Sequence, residues 1–91
     1  MLCWHPEKAR SNLRKHGVAF EEAASVFRDT LSVTISDPLH STEEDRFVTI
    51  GRSSQNKTLV VLPSEVGDTI RIISARLATR HERKKYEERT F

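Results

Sequence analysis

The sequence predicts an α+β domain over residues 1–91, with two N-terminal helices, a four-stranded, mainly antiparallel sheet and a C-terminal helix. Three observations predict it. Phe20, Ala23, Ala24 and Phe27 follow helical i, i+3, i+4, i+7 spacing. From Leu31 the apolar period drops to two, as a strand requires. Thr79-Arg80-His81-Glu82 is a Thr-x-x-Glu capping box, which opens a last helix. Ninety-one residues, 36% apolar and 31% charged, support one core, thin beside its charged surface.

His5 and Pro6 open the first helix, proline serving at a position whose N–H has no helical partner. Gly17 closes it after the basic Lys15 and His16. The second helix, which carries Phe20, Ala23, Ala24 and Phe27, should pack firmly on a sheet. Leu31, Val33 and Ile35 then alternate with Ser32, Thr34 and Ser36, and Asp37-Pro38 ends that strand. The acidic Glu43-Glu44-Asp45 leads into a second strand, Arg46 to Arg52, with Val48 and Ile50 on one face. Ser53 to Asn56 turns. Lys57 to Leu62 is continuously apolar at its centre, which predicts burial on both faces. Pro63 limits its ladder, and Glu65 to Asp68 turns into the last strand, Thr69 to Ala75, where Ile70 and Ile72 face one way and Arg71 and Ile73 the other. From Arg83 to Arg89, Tyr86 is the single large apolar side chain, so the last helix has little to bury.

The net charge of +2 conceals an uneven distribution. Residues 1–17 carry four basic side chains against Glu7, residues 18–70 carry four against nine acidic ones, and residues 71–91 carry seven against three. Two basic ends flank an acidic middle. If the fold brings them together they form a phosphate-attracting patch; otherwise they are two solvated faces.

Several chemistries find no support. Cys3 is the only cysteine, which excludes an internal disulfide and a thiolate metal cluster and fits a reducing, cytoplasmic setting. The histidines His5, His16, His40 and His81 lack metal-ligand spacing, no Gly-x-Ser-x-Gly elbow occurs, and no Gly-rich phosphate loop is present. Neither a membrane span nor a signal-peptide pattern is visible. The strongest local signal is the series Arg76, Arg80, Arg83, Lys84 and Lys85, which passes from a strand into a helix N-terminus, where guanidinium groups and the helix dipole both favour anions. On physical grounds alone this is an RNA- or phosphate-binding domain.

Several stretches carry a family resemblance. Trp4-His5-Pro6-Glu7-Lys8-Ala9-Arg10, then Asn12-Leu13-Arg14-Lys15-His16-Gly17-Val18 and Phe20-Glu21-Glu22-Ala23, resemble the opening of the BrnT toxins. Glu44-Asp45-Arg46-Phe47 with Ile50-Gly51-Arg52-Ser53, and Ile70 to Arg76 with Ala78-Thr79-Arg80 and Glu82-Arg83, agree in order and spacing. Where members often have aspartate before the proline this chain has His5, and where they often have serine before Phe-Glu-Glu it has Ala19.

The resemblance implies a RelE-like fold and a ribonuclease toxin of a type II toxin–antitoxin pair, which inhibits translation and arrests growth. It implies a BrnA-type ribbon-helix-helix antitoxin as partner, with operator DNA reached through that antitoxin. The implied reaction needs neither metal nor cofactor: a ribose 2′-hydroxyl attacks the adjacent phosphate. In that scheme Arg76 and Arg80 stabilise the transition state, Arg52 makes a further phosphate contact and Lys8 adds charge from the first helix. His81 and Glu82 are the acid–base candidates, Glu82 having a capping role as its alternative. Arg71, Arg83, Lys84 and Lys85 bind RNA. The commonly found third-strand histidine is replaced in Leu62-Pro63-Ser64-Glu65-Val66-Gly67. The alternative function is a weak or inactive relative that serves as antitoxin partner and co-repressor.

Overall fold

A computed structural model describes residues 2–36 and 47–88. The expected strand end at Asp37-Pro38, His40, the acidic lead-in Glu43-Glu44-Asp45 with Arg46, and Arg89 at the end of the last helix lie outside the described residues.

The strands are β1 (Leu2–Trp4), β2 (Val33–Ser36), β3 (Phe47–Arg52), β4 (Thr58–Val66) and β5 (Thr69–Leu77). The helices are α1 (Pro6–His16), α2 (Phe20–Ser25) and α3 (Arg80–Glu88), with a 3-10 turn over Val26–Arg28 directly after α2. The strands form one sheet in the order β1-β5-β4-β3-β2. The expectation of four strands is corrected to five: β1 pairs in parallel with β5, Leu2 beside Ile70 and Trp4 beside Ile72, while the other pairs are antiparallel. A three-residue strand has too little alternation to read, and its partner lies at the other end of the chain.

The end signals of the first helix hold. Gly17 takes φ of 70° and its N–H donates to the Leu13 carbonyl at 2.9 Å, a left-handed cap that glycine adopts without strain. His5 stands in for a capping carboxylate: its Nδ1 accepts from the Glu7 N–H at 3.3 Å. Ala19 supplies no side-chain cap to α2.

Pro63 does not end β4. The register shifts between Leu62 and Pro63, so that Leu62 faces Ser74, Pro63 faces Ile72, and Ile73 is left over as a bulge. The bulge corrects the simple alternation expected of β5, because Ile72 and Ala75, three apart, now point to one face and are both fully buried.

Alternation along β4 divides the interior into two layers. Leu59 and Val61 join Val18, Phe20, Ala23, Val26, Ile72 and Ala75 under α1 and α2, where the Trp4 and Phe20 rings meet edge to face at 6.1 Å. On the other face Val60 joins Val33, Val48, Ile50, Ala78 and Tyr86 under α3. The strand read as buried on both faces is so. Gly51 lies where the 3-10 turn crosses β3; a Cβ there would sit 2.8 Å from Val26 Cγ1.

Asn12 closes the open edge of β5. β1 pairs with β5 only as far as Ile72, and beyond it the Asn12 amide acts as one rung of a missing strand. Its Oδ1 accepts from the Ala75 N–H at 3.1 Å, and its Nδ2 donates to the Ala75 carbonyl at 2.8 Å and the Val18 carbonyl at 3.0 Å. No described helix is long and apolar enough to cross a membrane.

Candidate functional site

The capping box forms as its sequence requires and recruits an arginine. Thr79 Oγ1 accepts from the Glu82 N–H at 3.2 Å, while Glu82 Oε1 accepts from the Thr79 N–H at 2.8 Å. Arg76, projecting from β5 on the α3 side, donates through Nη1 and Nη2 to the two Glu82 oxygens at 2.7 and 2.8 Å. This fork is charge-assisted and bidentate, so it fixes the guanidinium plane as well as its position. The Arg76 hydrogen bonds, aided by the Thr79 N–H and opposed by partial burial, bring the Glu82 carboxyl down from its ordinary 4.5 to about 2.

Glu82 is therefore ionised throughout the range in which cells live and cannot serve as a proton donor there. It acts on stability. Because its folded pKa is depressed, the unfolded chain takes up the proton first as acid is added. The stabilisation is fully present above pH 4.5 and is lost as pH falls towards 2. The urea midpoint of the wild type should fall over this window by more than that of Glu82→Gln; equal acid sensitivity would refute the assignment.

Arg80 and His81 occupy the first two positions of α3 and are exposed. Arg83 Nη1 lies 3.4 Å from the Ala78 carbonyl, Lys84 is exposed and Lys85 is half-buried. Arg52 approaches from β3. Its guanidinium lies over the Tyr86 ring, 5.8 Å from the centroid, and donates to Asn56 Oδ1 at 3.1 Å. Arg52 and Arg76 share the α3 face of the sheet, two strands and two residues apart, about 12 Å by ordinary strand spacings. The structure thus gathers Arg76, Arg80, His81, Glu82 and Arg83 around the first turn of α3, with Arg52 on the same face of the sheet against Tyr86 of that helix.

Lys8 and Arg71 stand apart from that cluster. Arg71 is exposed on β5, about 16 Å back along the strand from Arg76. Lys8 is exposed on α1, whose Ala9 packs into the opposite layer. The two basic chain ends do converge, since β1 and β5 are neighbours, but their helices cover opposite faces. Among the described residues no group of His, Cys, Asp or Glu side chains is arranged to hold a metal ion.

Sequence reasoning missed two residues that position the site. Tyr86, buried beneath α3, donates its hydroxyl to Asp29 Oδ2 at 2.6 Å, and the same oxygen accepts from the Arg52 N–H at 2.8 Å. Asp29 Oδ1 accepts from the Leu31 N–H at 2.9 Å. One carboxylate thereby ties α3, the end of β3 and the turn before β2. An aspartate after a helix reads as an ordinary loop residue. The signal that could have found Tyr86 is its isolation as the one large apolar side chain of its helix.

A second tie holds the β3–β4 turn. Buried Glu22 accepts from Ser53 Oγ at 2.6 Å, and Ser53 Oγ in turn lies 3.2 and 3.3 Å from the Gln55 and Lys57 N–H groups. The turn that carries Arg52 and Asn56 is thus fixed to α2.

A search of curated proteins finds no match to this chain. Among solved structures it resembles the crystal structure of the Brucella abortus ribonuclease toxin BrnT, at 23% sequence identity and a TM-score of 0.65, over 87% of this chain and 96% of that one. That likeness establishes the fold. The model of the ribonuclease toxin BrnT of type II toxin–antitoxin systems matches residues 4–82, which include every side chain of the cluster around α3 except Arg83. By that match, carried by nearly the whole chain, this protein belongs to the BrnT family of ribonuclease toxins.

Proposed function

We propose that this chain is an endoribonuclease that cuts RNA without a metal ion, inhibits translation in the cytoplasm, and is neutralised by a BrnA-type ribbon-helix-helix antitoxin that reaches operator DNA. The observation that carries this reading is the group of guanidiniums from Arg76, Arg80 and Arg83 around the N-terminal end of α3, on the same face of the sheet as Arg52, whose guanidinium lies over Tyr86.

In the proposed reaction the ribose 2′-oxygen bonds to the adjacent phosphorus and the bond to the 5′-oxygen breaks. The products are a cyclic phosphate and a free 5′-hydroxyl. Charge grows on the non-bridging oxygens, where preorganised donors act most strongly. Arg80 supplies an exposed cation, and Arg76 a guanidinium whose orientation Glu82 has already fixed. Arg52 adds a phosphate contact, Lys8 a more distant charge, and Arg83, Lys84 and Lys85 attract the strand. With Glu82 committed as a carboxylate, His81 is the group we assign to taking the proton from the 2′-hydroxyl and delivering one to the departing 5′-oxygen.

Incubating the purified protein with single-stranded RNA and a chelator tests this reading. Fragments ending in cyclic phosphate and 5′-hydroxyl are expected, undiminished by the chelator. No cleavage, or chelator-sensitive cleavage, would overturn it. The commitment of Glu82 to a structural fork favours a second reading, that of a weak or inactive relative acting as antitoxin partner and co-repressor. Lone expression without growth arrest, together with stable antitoxin binding, would favour that one.

A further inference from the structure

Helix geometry brings a second set of cations to the α3 side of β5. Successive residues of α1 are turned by about 100°. Ala9 points into the layer beneath the sheet and Asn12 into the plane of the sheet, at the edge of β5. The next positions in the same sense of rotation are Lys8, about 40° beyond Asn12, and Lys15, about 60° beyond it. Both are exposed. This flank of α1 therefore overhangs the β5 edge toward the face that carries Arg76. Ser74 of that face turns its hydroxyl to Asn12 Oδ1 at 3.5 Å, which marks where the flank and the strand meet.

α3 leaves this strip open. Its anchor Tyr86, with Ala78 just before it, packs on Val33, Val48, Ile50 and Val60, over the far side of the sheet. On β5 the same face retains exposed Arg71 and half-buried Ser74 and Arg76. Lys8 and Lys15 line one side of the strip, Arg80 and Arg83 the other, and Arg71 the far end. The Glu82 carboxylate beside this strip is already held by Arg76.

We infer that this strip of β5 is a track for one single strand of RNA, with Lys15 and Arg71 as backbone contacts remote from the reacting phosphate. The inference rests on the ribonuclease reading and adds the form of its substrate. Cations line both sides of a single β-strand, which suits a polyanion one chain wide. Single-stranded segments are also the form in which RNA exposes its bases.

The test uses a labelled RNA of about 12 nucleotides, 2′-O-methylated so that it cannot be cut, with binding followed by fluorescence anisotropy from low to high salt. Lys15→Gln and Arg71→Gln should each weaken binding several-fold at low salt and reduce the slope of log affinity against log salt by about 0.7, the value of one single-strand phosphate contact. Arg28→Gln, in the 3-10 turn after α2, serves as the control and should change neither. Equal losses in all three variants overturn the track, as does equal affinity for a duplex of the same length. An acidic peptide of matching charge that binds as tightly as the RNA, with the same losses, would make the strip a protein-docking surface and overturn it too. A protein that cuts RNA while both variants bind like the wild type refutes the track alone. One that shows the expected binding losses yet cuts no RNA refutes the ribonuclease reading alone.

Discussion

Cells expressing the Arg80→Glu chain are expected to keep growing where cells expressing the unaltered chain stop, and the purified variant should cleave RNA at least 100-fold more slowly. Removing one preorganised donor from a charge-developing site typically costs about 10²- to 10³-fold in rate, and a reversed charge adds repulsion to that loss. This position separates chemistry from folding. Arg80 is exposed at the start of α3 and stands outside the fork that joins Arg76 to Glu82. A glutamate in the first turn of a helix interacts favourably with its dipole, so the variant should fold at least as well. A circular dichroism melt beside the cleavage assay checks both halves. Undiminished cleavage by the folded variant would remove Arg80 from the site. Arg76 is the poorer probe, since replacing it also breaks the tie between β5 and α3.

The largest loss of stability is expected from Asn12→Ala. It would strip partners from the buried Ala75 N–H and from two carbonyls, those of Ala75 and Val18. At roughly 1–3 kcal/mol for each buried group left unsatisfied, the cost is about 4 kcal/mol, a large share of the 5–15 kcal/mol typical of a domain. Urea unfolding at pH 7 measures it. A cost below about 1 kcal/mol would mean that water or a backbone shift replaces the amide. Leu13, the next residue in the same sequence motif, is an exposed side chain and marks the contrast: the asparagine, more than the leucine beside it, fixes α1 to the sheet.

Where order is local, the sequence displays it. The capping box at Thr79, the glycine stop at Gly17 and the two-faced burial of Lys57 to Leu62 are set by neighbouring residues, and each appears as read. What stayed hidden depends on distant pairing. β1 is too short for a period, and the bulge at Ile73 answers to Pro63 on the facing strand. The site divides in the same way. Arg76, Arg80 and Glu82 could be grouped because they lie within seven residues. Their link to Arg52 passes through Asp29 and Tyr86, 57 residues apart, and no local pattern announces such a contact. The fork itself was legible only in part, since the capping box foretold one partner of Glu82 and not the arginine that lowers its pKa.

The pairing of the first strand with the last bears on how the chain is made. Leu2 finds its partner in Ile70, Trp4 in Ile72, and Asn12 in Ala75, so the contacts that close this edge span most of the polypeptide. Contacts of such long range are reached late, because the loop they close must first be ordered. A nascent chain lacks β5, and with it Arg76 and the start of α3, until translation has passed residue 80. The ribosome making this protein therefore faces no assembled arginine cluster until it has translated the residues that open α3.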